Sequence, residues 1–263
     1  MSRVVHATSH SPTGPFVRQA VALSVFAHNP QVVRAPDGKL LLFHIGAAVE
    51  LDCVPDCRRG FEHSGAGGPR CAAKGHGSSV AVATSAFGPW ERTNYVLPKF
   101  TNPSPYVFPN GSVLLAARAD GIHILRANNW RGPYESLGRI GAYEDPFLWR
   151  DSAGHFHMLS HDRNHTTDFF QDRGGYWSSA NGIDGWSAPV NAYTTSVVWA
   201  DGSTRALNAR QRPFLFFDDP EESGGSGGTF LFNGAGPPGA KSHWNFSFTF
   251  VQQLDTSEPA VAV

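Results

Sequence analysis

No segment of this chain sustains the 3.6-residue apolar rhythm of an amphipathic helix, which removes helical bundles from consideration. Charge is sparse: 21 Lys and Arg against 22 Asp and Glu in 263 residues leave a net charge of −1. With no basic run and no RNA-binding signature, a nucleic-acid partner is not expected. No apolar run reaches the roughly 20 residues a helix needs to cross a bilayer, and no membrane partner is expected. Cysteine is scarce too: Cys53, Cys57 and Cys71 fall in one stretch and no others occur. What the chain has instead is 28 Gly, 19 Pro and many aromatics, the composition of short strands joined by tight turns.

Those turns repeat. Four times a proline-led strand opens a short turn and a second strand, with heads at His28-Asn29-Pro30, Thr101-Asn102-Pro103, Glu144-Asp145-Pro146 and Gln211-Arg212-Pro213. After the first three a glycine follows eight residues beyond the proline, at Gly38, Gly111 and Gly154, and apolar strand text comes next. A second motif closes the repeats: Ser, Asn, Gly and Pro turns delivering an aromatic at Phe16, Trp90, Tyr134 and Trp186. Heads and tails alternate, the mark of an all-β propeller whose blades are small sheets. A two-sheet sandwich with similar hairpins is the alternative. In a propeller the residues before the prolines sit near the central axis, which makes Asn29, Asn102, Glu144, Asp145 and Arg212 a candidate site. Residues 1–254 are expected to form a single domain and 255–263 a disordered tail.

The N-terminus is not a secretion signal and reads as a strand under way, so the first repeat has a tail but no head. Either that strand completes the last blade of a four-headed ring, or a longer protein supplies the missing blade upstream; the second reading is preferred. The three cysteines crowd an irregular Gly-rich insertion, about residues 50–77. One disulfide and one odd thiol is the simplest count, pointing to the secretory pathway or the cell exterior. Zinc held by these cysteines with His63 or His76 is the sharper alternative, but no C-x-x-C pair supports it. Residues 221–228 read as a flexible hairpin connection.

At the heads the sequence resembles the five-bladed propeller glycosidases: glycoside hydrolase family 43, with its arabinanases and xylosidases, and its levansucrase and invertase relatives. Asn102-Pro103-Ser104-Pro105-Tyr106-Val107 with Asn110-Gly111-Ser112 looks like the family's Asp-Pro-Ser-Pro-Phe strand and Asp-Gly turn. Glu144-Asp145-Pro146-Phe147-Leu148 looks like the Glu-Gly-Pro strand carrying the general acid, and Arg212-Pro213 falls where substrate-binding arginines lie. The match runs from Phe26 to Gly234. It implies a five-bladed propeller, an inverting glycosidase and a carbohydrate substrate, acting as a monomer without a cofactor. The chain departs from the pattern at Asn102, which stands where the family has a pKa-tuning Asp, and the head that would carry the base is missing.

Glycoside cleavage needs one protonated and one ionised carboxyl flanking the bond. Glu144 is the candidate acid, because a strand start facing an aromatic-lined funnel would favour its protonated form. Its alternative role is a capping carboxylate paired with Arg212. Adjacent side chains on a strand point to opposite faces, so Asp145 is not expected to work directly with Glu144. Asn29 and Asn102 suit sugar hydroxyls, or else bond their own turns. His28 is a sugar contact, a neutral base or a buried structural residue. His161-Asp162-Arg163-Asn164-His165 reads as a polar loop at the funnel mouth, where Asp162 or His161 is the first place to seek a compensating base. His155 and His157 share a face at i, i+2 spacing, but no third metal ligand is evident and no metal is expected. Tyr106, Tyr143, Phe147, Trp149 and Trp199 lie near strand starts or connecting loops; most are expected in the core, the rest stacking on sugar rings. Three functions follow: a glycosidase, a carbohydrate-binding propeller without catalysis, and a protein-interaction propeller.

Overall fold

The computed structural model describes residues 3–24, 27–46, 77–162, 173–218, 228–239 and 247–254, and among them there is no helix. The cysteine insertion, the 221–227 loop and the tail from 255 lie outside these residues. Two compact units are present. The first comprises Met1–Thr8, Val17–Gly141 and Gly182–Asp184, the second Ser9–Phe16, Ala142–Asn181 and Gly185–Val263.

In the first unit β1 (Val4–Thr8) and β2 (Val17–Leu23) form a two-stranded hairpin. Strands β3 (Ala27–Arg34), β4 (Leu40–Gly46), β5 (Gly77–Ala83) and β6 (Glu91–Pro98) follow as one antiparallel sheet in chain order. Strands β7 (Thr101–Val107), β8 (Val113–Arg118), β9 (Ile122–Ala127) and β10 (Glu135–Gly141) repeat the plan. The apolar run in β4 is explained by burial on both faces. Leu41 and Phe43 join Val113, Leu115, Ala117 and Leu125 in one core. Leu42 points the other way, to Val4, Leu23, Ala27 and Ala81.

The second unit holds a sheet of β11 (Glu144–Arg150), β12 (Phe156–Asp162), β13 (Arg173–Ser179) and β14 (Val190–Tyr193). A short hairpin of β15 (Ser196–Val198) and β16 (Thr204–Ala206) follows. The last sheet has three strands, β17 (Ala209–Asp218), β18 (Gly228–Gly236) and β19 (Phe248–Leu254). Phe147, Leu159 and Tyr193 pack with Leu215 and Leu231 between these sheets.

The head turns obey the glycine rule. Gly38, Gly111 and Gly154 sit at φ +85°, +86° and +96°, conformations that L side chains resist. Each N–H donates to the carbonyl three residues back, on Ala35, Phe108 and Asp151. The β15–β16 hairpin uses the same turn at Gly202, where no head was read. The tails do not close the repeats as expected: each joins two consecutive strands, β1 to β2, β5 to β6, β9 to β10 and β13 to β14, so a further strand follows every tail. The blade count is corrected. Among the described residues four sheets carry a head, against the five blades expected, and β1–β2 stands as a hairpin without one.

Candidate functional site

The heads share a backbone feature that local sequence does not announce. Asn29, Asn102, Asp145 and Arg212, each directly before its proline, have φ of +46°, +52°, +51° and +52°. A residue before proline ordinarily favours extended backbone. Here every head strand also slips register at this point, between His28/Gln31, Thr101/Ser104, Glu144/Phe147 and Gln211/Phe214. The extra residue of each bulge is thus held in the left-handed region, which Asn and Asp tolerate and Arg does not.

That geometry overturns the opposite-face expectation for Glu144 and Asp145. The left-handed turn at Asp145 breaks the period-2 alternation of β11, and both carboxyls face His161. Glu144 is the register partner of His161. His161 Nδ1 lies 3.6 Å from Glu144 Oε1 and 3.7 Å from Asp145 Oδ2. The two side chains are 16% and 6% exposed, and that of His161 only 1%. One donor atom from each of the three lies within 4.8 Å of the others, a set of two oxygens and one nitrogen that could hold a cation.

His161 and Asp162 belong to β12 itself rather than to a mouth loop. Register places His161 opposite Gly174 of β13, where an added Cβ would collide with the Tyr193 ring. The glycine is therefore required for the close approach that walls this end of the sheet. The side chain of Asp162 and residues 163–165 lie outside the described residues.

Two head-bearing strands in each unit are tied just past their prolines. In the second unit the Phe147 and Phe214 rings stand 4.7 Å apart, joining the Glu144-Asp145 and Gln211-Arg212 heads. Arg212 is exposed. In the first unit Ser104 Oγ donates to Gln31 Oε1 at 2.9 Å, joining the two Asn heads. His28, Asn29 and Asn102 are each half-buried. Of the named aromatics, Phe147 lies in the core, Trp149 packs against it, Tyr143 meets Trp177 edge-on at 5.0 Å, and Trp199 meets Phe250 at 6.0 Å.

His157, set aside above as a metal ligand, has close polar partners, and two further residues, Arg210 and His44, escaped the sequence. His157 Nε2 lies 3.0 Å from an oxygen of Asp151, and its Nδ1 is 2.7 Å from the Tyr176 hydroxyl. That hydrogen bond from His157 holds the Asp151 carboxyl below its usual range, while burial raises the Tyr176 hydroxyl. Buried Arg210 donates to Asn233 Oδ1, the Thr194 carbonyl and Gln252 Oε1, and stacks on Tyr193 and Phe250. Burial pushes its guanidinium down to about 10. Fully buried His44 in β4 is pushed down to about 4 by the same desolvation.

No family model and no curated protein matches this chain. Solved structures do. An endo-1,4-beta-xylanase from Bacteroides thetaiotaomicron superposes with a TM-score of 0.58 at 14% identity, covering 92% of this chain and 79% of that one. An endo-1,5-alpha-L-arabinanase from Thermotoga petrophila gives 0.54 at 14% identity, covering 86% and 56%. An exo-beta-1,3-galactanase from Phanerochaete chrysosporium, solved with galactose, gives 0.55 at 11% identity, covering 92% and 52%. The chain thus spans about half the length of the last two. At these identities the likeness establishes a fold, the all-β propeller type, and leaves the chemistry to the residues.

Proposed function

We propose that this chain is a carbohydrate-active, glycosidase-like propeller in which Glu144 is the general acid. The observation that carries the reading is the convergence of Glu144 and Asp145 at a head bulge, walled by a buried imidazole. The solved likenesses, named as a xylanase, an arabinanase and a galactanase, support a poly- or oligosaccharide substrate.

The geometry also divides the labour. Inverting glycosidases hold their two carboxyls roughly 6.5–9.5 Å apart and retaining ones about 5–5.5 Å. Oxygens of Glu144 and Asp145 lie within 4.8 Å of each other, short of the room an inverting pair leaves for its water. Asp145 is therefore the electrostatic neighbour of the acid and not its base. In an inverting mechanism the base is a carboxylate further off, and Asp162, at the end of the strand paired with Glu144, is the first candidate. Arg212 is assigned to substrate, since a strained arginine persists only where the surroundings or the function require it. His28, Asn29 and Asn102 are assigned to sugar hydroxyls on the strength of their equivalent head positions. His161 serves by orienting the carboxyls, because its burial leaves little surface to touch a sugar. An extracellular setting remains part of the proposal.

One observation favours a binding protein without catalysis: Asn102 stands where the resembled family has a carboxylate, and no base is assigned in the first unit. Turnover of aryl glycosides and of xylan, arabinan and galactan by the wild type and Glu144→Gln tests both. The expected result is a loss of about 10²–10⁴ in kcat for Glu144→Gln with the fold retained. Sugar binding without wild-type turnover moves the chain to the second reading. Equal turnover by both proteins removes Glu144 as the acid.

A further inference from the structure

We propose that Glu144, Asp145 and His161 form a three-donor site for a divalent transition cation of the zinc class. The separations are the first argument. His161 Nδ1 stands 3.6 Å from Glu144 Oε1 and 3.7 Å from Asp145 Oδ2, longer than the roughly 2.7–3.2 Å of a hydrogen bond. Two donors bound at about 2.0–2.2 Å to one tetrahedral ion stand roughly 3.3–3.6 Å apart. The imidazole nitrogen thus stands from each carboxyl at close to the separation of neighbouring donors around one ion.

The donor set is the second argument. An imidazole nitrogen with two carboxylates suits zinc and its neighbours, whereas calcium and magnesium take oxygen ligands in larger number. Rigidity is the third. Glu144 and His161 are register partners on antiparallel strands, and Asp145 is turned to the same side by a backbone conformation fixed at φ +51°. Little side-chain freedom remains to be lost on binding, because His161 and Asp145 are already buried. Glu144 is the more exposed of the three, so the fourth position opens on its side.

A functional consequence follows, and it rests on Glu144 being the acid. An ion held on the Glu144 carboxyl covers the oxygens that would face the sugar bond, so the cation acts as an inhibitor. Binding itself does not depend on catalysis and is measured without sugar.

Calorimetric titration of the intact wild-type chain with zinc chloride, beside Asp145→Asn and His161→Gln, is the test. Asn keeps the left-handed turn accessible, so it guards against misfolding as the reason for a loss. The expected result is that each variant binds one zinc fewer per chain, or binds it at least about tenfold more weakly, since losing even the outer support of a ligand costs roughly 10–100-fold. Cobalt added to the wild type should show a visible ligand-field spectrum that both variants lose. Equal zinc stoichiometry and affinity in all three proteins, or a cobalt spectrum made up only of thiolate charge-transfer bands, overturns the site. With binding established, zinc inhibition of turnover tests this consequence separately. A bound ion with unimpaired turnover discards Glu144 as acid while leaving the site in place.

Discussion

The two units use one backbone device and fill it with different chemistry. Each has two head-bearing strands, each head bulges at a left-handed residue before proline, and each pair of heads is tied at the residue just past the proline. In the first unit the left-handed residues are both Asn and the tie is a hydrogen bond between Ser104 and Gln31. In the second they are Asp145 and Arg212, and the tie is the Phe147–Phe214 ring contact. Buried polar groups divide the same way. The first unit keeps His44 neutral, while the second buries a charged guanidinium on neutral acceptors and sets an imidazole beside two carboxyls. A bulged head is thus a generic platform, and its charge is concentrated in one unit. That pattern is expected when a scaffold built by repetition devotes a few positions to chemistry.

Breaking the ties should expose the difference most strongly. Phe147→Ala removes a core ring that packs with Leu159, Tyr193, Leu215 and Leu231, and should cost about 3–5 kcal/mol. Ser104→Ala removes one hydroxyl hydrogen bond and should cost about 1 kcal/mol. Urea midpoints at constant m-value measure both. Comparable losses would mean that the two ties are energetically alike and that the contrast drawn from their chemistry fails.

Acid sharpens the contrast next. His44 binds its proton near pH 4 in the folded chain, against 6.5 for an ordinary imidazole, so the unfolded chain takes up the proton first. Stability is full above about pH 6.5 and falls as pH drops toward 4, by on the order of 3 kcal/mol for this group. His44→Gln, neutral throughout, should flatten stability against pH across that window. Midpoints measured from pH 7 to 4 check it, and an unchanged slope would show that other groups govern acid unfolding. Arg210 offers no counterpart, since its guanidinium stays charged throughout this range.

Much of this architecture was legible because glycine and proline act locally. Gly38, Gly111 and Gly154 announce their turns wherever they stand, and all three turns form as read. The turn at Gly202 has the same turn glycine, after Asp201, but lacks the proline head that marks the others in the sequence. The site was harder. Whether Asp145 shares a face with Glu144 depends on a bulge, and a bulge exists only once β11 has paired with β12. The local rule for a residue before proline points to the wrong conformation, and with it to the wrong face. Arg210 is an unremarkable letter in the chain; its acceptors Asn233 and Gln252 lie 23 and 42 residues away. Two residues on, Arg212 was read as a site residue from its proline, while the burial that distinguishes Arg210 had no sequence signal.

The smallest expected effect separates function from backbone strain. Arg212 holds φ +52° without the short polar side chain that lets Asn or Asp settle there. Arg212→Gly should therefore stabilise the chain by up to about 1 kcal/mol, whereas Asn102→Gly at the same conformation should change little. If the guanidinium binds substrate, the same Arg212→Gly protein should melt higher and yet show a raised KM or weaker sugar binding. Thermal melts paired with substrate titrations read both quantities on one sample. A protein that gains stability and keeps its sugar affinity would show that Arg212 tolerates the strained position for no purpose at the site, and the head positions would then lose their claim to be the binding surface.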